Sequence, residues 1–105
     1  MNEEQFLYLT TTGRKSGLPR EIEIWFTQLE GRYYLIAEHR EKANWVQNIL
    51  HQPRILFRIS NQTFNGTGRI VNETLERELL NSVHTLSEQK YGWSDGLVVE
   101  LTAVE

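Results

Sequence analysis

The stretch from Leu9 to Arg20 carries three threonine hydroxyls, three cationic side chains and two glycines. Arg14 and Arg20 offer forked guanidinium donors, Lys15 a compact charge, and Ser16 and the backbone amides further donors. Together they have the chemistry that holds a phosphate or a carboxylate. The protein's net charge is −3, so this cluster is not a by-product of a generally basic surface. The competing reading is a solvated hairpin turn. Gly13-Arg14-Lys15-Ser16-Gly17 superficially resembles a nucleotide P-loop. It lacks the glycine that motif places five residues upstream, and no long helix follows, which excludes nucleotide hydrolysis of that type.

Histidine is the second candidate. His39, His51 and His84 show no metal spacing, and no carboxylate pattern completes a site, so no metal centre is expected. His51 and His84 fall on predicted helix surfaces. His39 lies in Ala37-Glu38-His39-Arg40-Glu41-Lys42, a segment joining a strand to a helix, where backbone amides at the helix start can receive a ligand. A solvated loop histidine is the alternative. The aromatics are the third candidate. Trp25 projects from the charged face of its strand, which points to a covered surface, either a subunit interface or a flat ring system. Burial under the second helix is the alternative. Tyr91 and Trp93 either cap a pocket or anchor the last loop.

These residues depend on a short series of elements. Phe6 to Thr11 reads as a strand. Arg20 to Gln28 alternates, with Ile22, Ile24 and Phe26 on one face, and reads as a single half-buried strand. Leu29 to Arg32 forms a turn and Tyr33 to Ala37 the hairpin partner. The period then changes. Trp45, Val46, Ile49 and Leu50 share a helical face, with Asn44, Gln47, Asn48 and His51 facing away. Pro53 closes this helix. Arg54 to Ser60 and Thr63 to Val71 alternate around Asn61-Gln62. Gly66 and Gly68 on the inward face suggest tight curvature or a close backbone approach. Asn72 caps a second helix with Glu73 and Glu76 in its first turn, and Leu75, Leu79, Val83 and Leu86 form its apolar stripe. Leu97 to Val104 is the last strand. Short connections favour antiparallel pairing. The expected fold is mainly β with some α: a small antiparallel barrel of about six strands with two helices.

With 105 residues, 39% hydrophobic and 24% charged, the chain fits one soluble domain spanning 1–105. It has no cysteine, which excludes disulfides and thiol nucleophiles and fits a cytoplasmic setting. The acidic start, Met1 to Glu4, has no signal core, and no apolar run reaches the length of a membrane span. Asn61, Asn65 and Asn72 begin Asn-x-Thr triplets, read as strand and turn chemistry. Mild acidity argues against a nucleic-acid partner.

Leu-Thr-Thr-Thr-Gly-Arg-Lys-Ser-Gly with the following Pro-Arg, the strand pair, Asn44-Trp45-Val46-Gln47-Asn48-Ile49 and Gln52-Pro53 resemble the deazaflavin-dependent nitroreductase and quinone reductase family. The resemblance spans about Leu9 to Val71. It implies a split β-barrel of the flavin-reductase type that binds coenzyme F420, a deazaflavin with a phosphate and an acidic tail. It further implies hydride transfer to a quinone or nitroaromatic acceptor. On the resemblance, Thr12, Arg14, Lys15, Ser16 and Arg20 hold the anionic end. Ala37, Glu38, His39, Lys42, Asn44 and Trp45 contact the ring and its chain, and His39 or Tyr91 donates a proton. A homodimer is implied as well. FMN in place of F420, or a non-enzymatic flavin-binding role, are the alternatives. Three departures stand out: the roofing N-terminal helix of longer members has no counterpart, the ring-side loop is bulky and charged, and the C-terminal tyrosines around substrate are represented only by Tyr91 and Trp93.

Overall fold

The computed structural model describes residues 4–104; the acidic start at Met1 to Glu3 lies outside the described residues. Seven strands form one antiparallel sheet: β1 (Phe6–Thr12), β2 (Pro19–Trp25), β3 (Thr27–Leu29), β4 (Arg32–Ala37), β5 (Arg54–Ile59), β6 (Gln62–Ile70) and β7 (Leu97–Ala103). Helix α1 spans Asn44–His51 and α2 spans Arg77–Tyr91, and a single 3-10 turn at Arg40–Lys42 leads into α1. The strand order is β2-β1-β5-β6-β7-β4-β3.

The two edges of this sheet are consecutive in the chain. The alternating segment expected to be one strand is two, broken at Phe26: its first half pairs with β1 and its second with β4. One bent segment thus joins both edges and closes the sheet into a split barrel. The break frees the backbone of Phe26. Its N–H donates to the Tyr91 hydroxyl at 3.0 Å, and its carbonyl accepts from that hydroxyl at 2.7 Å and from the Lys90 ammonium at 2.9 Å. The Tyr91 hydroxyl also lies 2.7 Å from the Gln5 carbonyl, so its one proton is shared between two acceptors. Its ring stacks on Trp25 at 4.4 Å, and Lys90 stands 4.0 Å over the Phe26 ring.

Leu7, Leu9, Phe26, Leu35, Phe57 and Leu101 fill the barrel. A second cluster, Tyr34, Val71, Val83 and Val98, packs α2 against the outside of β4 and β7. This explains why β7 is buried on both faces over Leu97 to Leu101 rather than alternating. Glu100 is buried there, bound by the Tyr34 hydroxyl at 2.8 Å and Arg69 at 2.9 Å. Burial, followed by this bond to Glu100, pushes the Tyr34 hydroxyl up to about 12. The two inward glycines of β6 serve a close approach: a Cβ on Gly66 would collide with the Thr102 carbonyl, and one on Gly68 would meet Ile49 of α1 at 3.1 Å.

The start of α2 differs from the expected one. Asn72 forms a turn, accepting from the amides of Thr74 and Leu75 at 2.9 Å, and the helix proper begins at Arg77. Leu75 therefore lies outside the helix and is 82% exposed instead of joining the apolar stripe. Glu76 closes the turn, accepting from the Asn72 amide at 2.8 Å and from two guanidinium nitrogens of Arg69.

Tyr91→Phe keeps the ring but orphans the Phe26 amide. It is expected to lower unfolding free energy by about 1–3 kcal/mol, read as a shifted denaturant midpoint; an unchanged midpoint would contradict the role given to the hydroxyl. Arg69, then the Asn72 amide, holds the Glu76 carboxyl down at about 2, against 4.5 for an unperturbed group. A depressed folded value stabilises above the unfolded one and fades as pH falls through the folded one. Thermal midpoints of wild type and Glu76→Gln should separate above pH 4.5 and converge towards about 2.

Candidate functional site

The turn after β1 is built by its own backbone. The Gly13 amide donates to the Leu18 carbonyl and the Gly17 amide to the Gly13 carbonyl, each at 2.8 Å. The Leu18 amide donates to Ser16 Oγ at 3.1 Å. Gly17 has φ +73°, a left-handed conformation that suits glycine.

Helix α1 holds this turn from the side. Asn48, expected to face away from the core, is buried at 4% exposure, whereas Leu50 is 54% exposed. The Asn48 amide nitrogen donates to Thr11 Oγ1 at 3.1 Å. Its Oδ1 accepts from the Arg14 amide at 3.1 Å and from Arg14 Nη1 at 3.0 Å. Arg14 also donates to Asn44, at 3.4 Å to its carbonyl and 3.2 Å to its Oδ1. Every described partner of the Arg14 guanidinium is thus a neutral oxygen. Among the described residues, Arg14, Lys15 and Arg20 form no ion pair.

These cations line a cleft of about 670 Å³ together with Thr11, Ser16, Glu21, Ile22, Asn44, Trp45 and Asn48. Arg14, Lys15, Ser16 and Arg20 are brought together as the sequence suggested. Thr12 is not among the lining residues; its neighbour Thr11 is. Strand alternation sends the two to opposite faces, and Thr11 faces α1.

Ile22 and Trp45 also line a second, mostly apolar cleft of about 670 Å³, with Phe6, Glu23, Ile24, Trp25, Ile36, Ala37, Glu38, His39, Ala43 and Trp93. This cleft occupies the split. β2 pairs only with β1, and β3 reaches β4 no further than Tyr34, so Ile22 and Ile24 face Ile36 and Ala37 with no strand between. Lys42 and Asn44 line the adjoining surface with Glu38, His39 and Trp45. Trp25 is 41% exposed and meets Trp93 edge to face at 6.2 Å. Tyr91 lines neither of these two clefts; it stands behind Trp25, bound to Phe26. The strand-to-helix loop is tied down by Arg40, whose φ is +52° and whose guanidinium lies 3.8 Å from Glu73 and 3.4 Å from Asp95.

A further cleft of about 480 Å³ at the far end of the barrel, bordered by Phe26, Tyr33 and Phe64, shows no such cluster of like charges. Among the described residues, no three His, Cys, Asp or Glu side chains are grouped to hold a metal, and no helix is long and apolar enough to cross a membrane.

The family model for F420H(2)-dependent quinone reductase matches residues 1–95. The chain belongs to that family. No curated protein matches it. Solved structures share the fold of this family member. An F420-H2 dependent reductase, FDR-A, is 20% identical with a TM-score of 0.74, over 92% of this chain and 93% of that one. HutZ, the heme storage protein from Vibrio cholerae, is 18% identical with a TM-score of 0.79, over 98% and 84%. A FAD-binding protein from Mesorhizobium loti is 10% identical with a TM-score of 0.74, over 96% and 82%.

Proposed function

We propose that this protein is an oxidoreductase that binds reduced coenzyme F420 and directs its hydride to a quinone-type acceptor, nitroaromatics being a related class. The observation that carries the reading is the placement of three cations, without ion-pair partners among the described residues, in a cleft that shares Ile22 and Trp45 with a mostly apolar one. This donor set fits a ligand with an acidic handle and a flat ring. Arg14, Lys15, Ser16 and Arg20 would hold the phosphate and tail, and Ile22, Ala37, His39 and Trp45 would flank the ring. Bound there, the reduced deazaflavin supplies the hydride. The chain's own work is placement, charge neutralisation and exclusion of water by the aromatic wall. Of the two proton donors anticipated, His39 lines the ring-side cleft and Tyr91 does not, so an imidazole nitrogen of His39 is the group we assign to protonating the reduced acceptor.

A second reading keeps the two clefts and exchanges F420 for a flavin such as FMN, whose terminal phosphate suits the same cations. The similarity to a FAD-binding protein supports it. A homodimer fits the exposed Phe6, Trp25 and Leu56 on the outer face of β1, β2 and β5; light scattering tests it.

Titration with coenzyme F420, followed by fluorescence, checks the main reading. Lys15→Ala and Arg20→Ala are each expected to weaken binding about three- to tenfold, and quinone reduction should require the reduced coenzyme. Unchanged affinity in both variants would remove the anchor assignment. Tight FMN binding with no F420 binding would select the second reading, and F420 binding with no turnover across a quinone and nitroaromatic panel would leave a binding protein.

A further inference from the structure

Asn48 is buried among α1, β1 and the basic turn, and its carboxamide is used at both ends. The amide nitrogen donates to Thr11, which fixes the flip: Oδ1 must face the two Arg14 donors. The reversed amide would set donor against donor. One side chain therefore sets both the backbone of the turn and the direction of its first guanidinium. Asn44, one helical turn earlier, holds the outer edge of the same group.

We propose that Asn48, supported by Asn44, is a positioning residue that aims Arg14 at the ligand's anionic group while leaving its charge uncancelled. A carboxylate at either position could hold the guanidinium at least as firmly, through a charge-assisted bond. It would also neutralise the charge that the cleft presents. Neutral carboxamides separate the two effects: geometry is fixed and the cation remains available. Among the described residues Glu21 is the one carboxylate lining the cleft, and it makes no ion pair with the three cations. The proposal rests on the reading of this cleft as an anion site.

The test substitutes carboxylates for the carboxamides. Asn48→Asp keeps an acceptor for Arg14, and the Thr11 hydroxyl can turn to donate to it. Asn44→Asp lies at the first residue of α1, where an acid is favoured by the helix dipole. Both variants are therefore expected to fold with melting temperatures near wild type or above. Both are expected to bind coenzyme F420 and inorganic pyrophosphate about tenfold more weakly. In an Arg14→Ala background the same changes should cost less, giving a coupling in the double-mutant cycle. A structural role alone predicts the reverse pattern, with affinity following melting temperature.

If folded Asn44→Asp and Asn48→Asp bind both probes as tightly as wild type, the positioning role is overturned and the functional reading stands. Should Asn48→Asp fail to fold, Asn44→Asp decides alone. Wild type that binds pyrophosphate but not F420 would end the F420 reading, and the positioning role is then judged on pyrophosphate. Wild type that binds neither would end both.

Discussion

The structure depends on how one strand is broken. A barrel this small closes only if some segment pairs with both edges of its sheet, and the segment from Pro19 to Leu29 does so by bending at Phe26. A bend in a strand leaves backbone groups that water or a side chain must satisfy, because an unmatched buried amide costs about 1–3 kcal/mol. Here the end of α2 provides the partners: the Tyr91 hydroxyl serves the amide and carbonyl of Phe26, and Lys90 reaches the same carbonyl. The same break keeps β2 away from the second half of β4. What would be a ladder of hydrogen bonds is instead a cleft between Ile22 and Ile24 on one side and Ile36 and Ala37 on the other. The closure of the fold and the opening of the apolar site have one cause.

Most of the site's parts were legible in the sequence because they are local. The threonines, glycines and cations of the turn are contiguous, and three of the turn's hydrogen bonds run within Gly13 to Leu18, although the Arg14 amide is bound by the distant Asn48. The strand-to-helix loop beside the apolar cleft was equally local. What escaped was everything set by distant partners. The alternation of Ile22, Ile24 and Phe26 continues smoothly across the break, so periodicity cannot reveal it. Tyr91, 65 residues away from Phe26, was expected either to cap a pocket or to anchor the last loop, and its bond to the Phe26 backbone at the closure was not foreseen.

Asn48 shows the same limit on a helix. A helical wheel assigns polar residues to solvent, and by that rule Asn48 faces out and Leu50 in. The structure reverses both, because α1 rests on Gly68 through Ile49 and turns Asn48 towards Thr11 and Arg14, 37 and 34 residues earlier in the chain. A buried carboxamide is tolerated when its donors and acceptor are matched, and these are. Leu75 was misplaced for another reason: Asn72 was read as a helix cap, but its side chain closes a separate turn, so the stripe begins one turn later. The inward glycines of β6 were read correctly, since a missing side chain on a buried face leaves few explanations.

Charge placement completes the picture. A net charge of −3 would repel an acidic ligand at a distance, but salt screens such a field beyond about 8 Å. The body itself has a radius of gyration of 13.0 Å, so the far carboxylates are largely silent at the cleft. Two are also answered at home: Glu76 and Glu100 share Arg69. At contact the balance reverses. Opposite charges 4 Å apart near a protein surface attract by about 4 kcal/mol at an effective dielectric constant of 20, and Arg14, Lys15 and Arg20 present that attraction together. An overall acidic chain can therefore hold an acidic ligand, provided its cations are gathered at one turn and are not answered by its own carboxylates. The asparagine amides hold Arg14 without answering its charge.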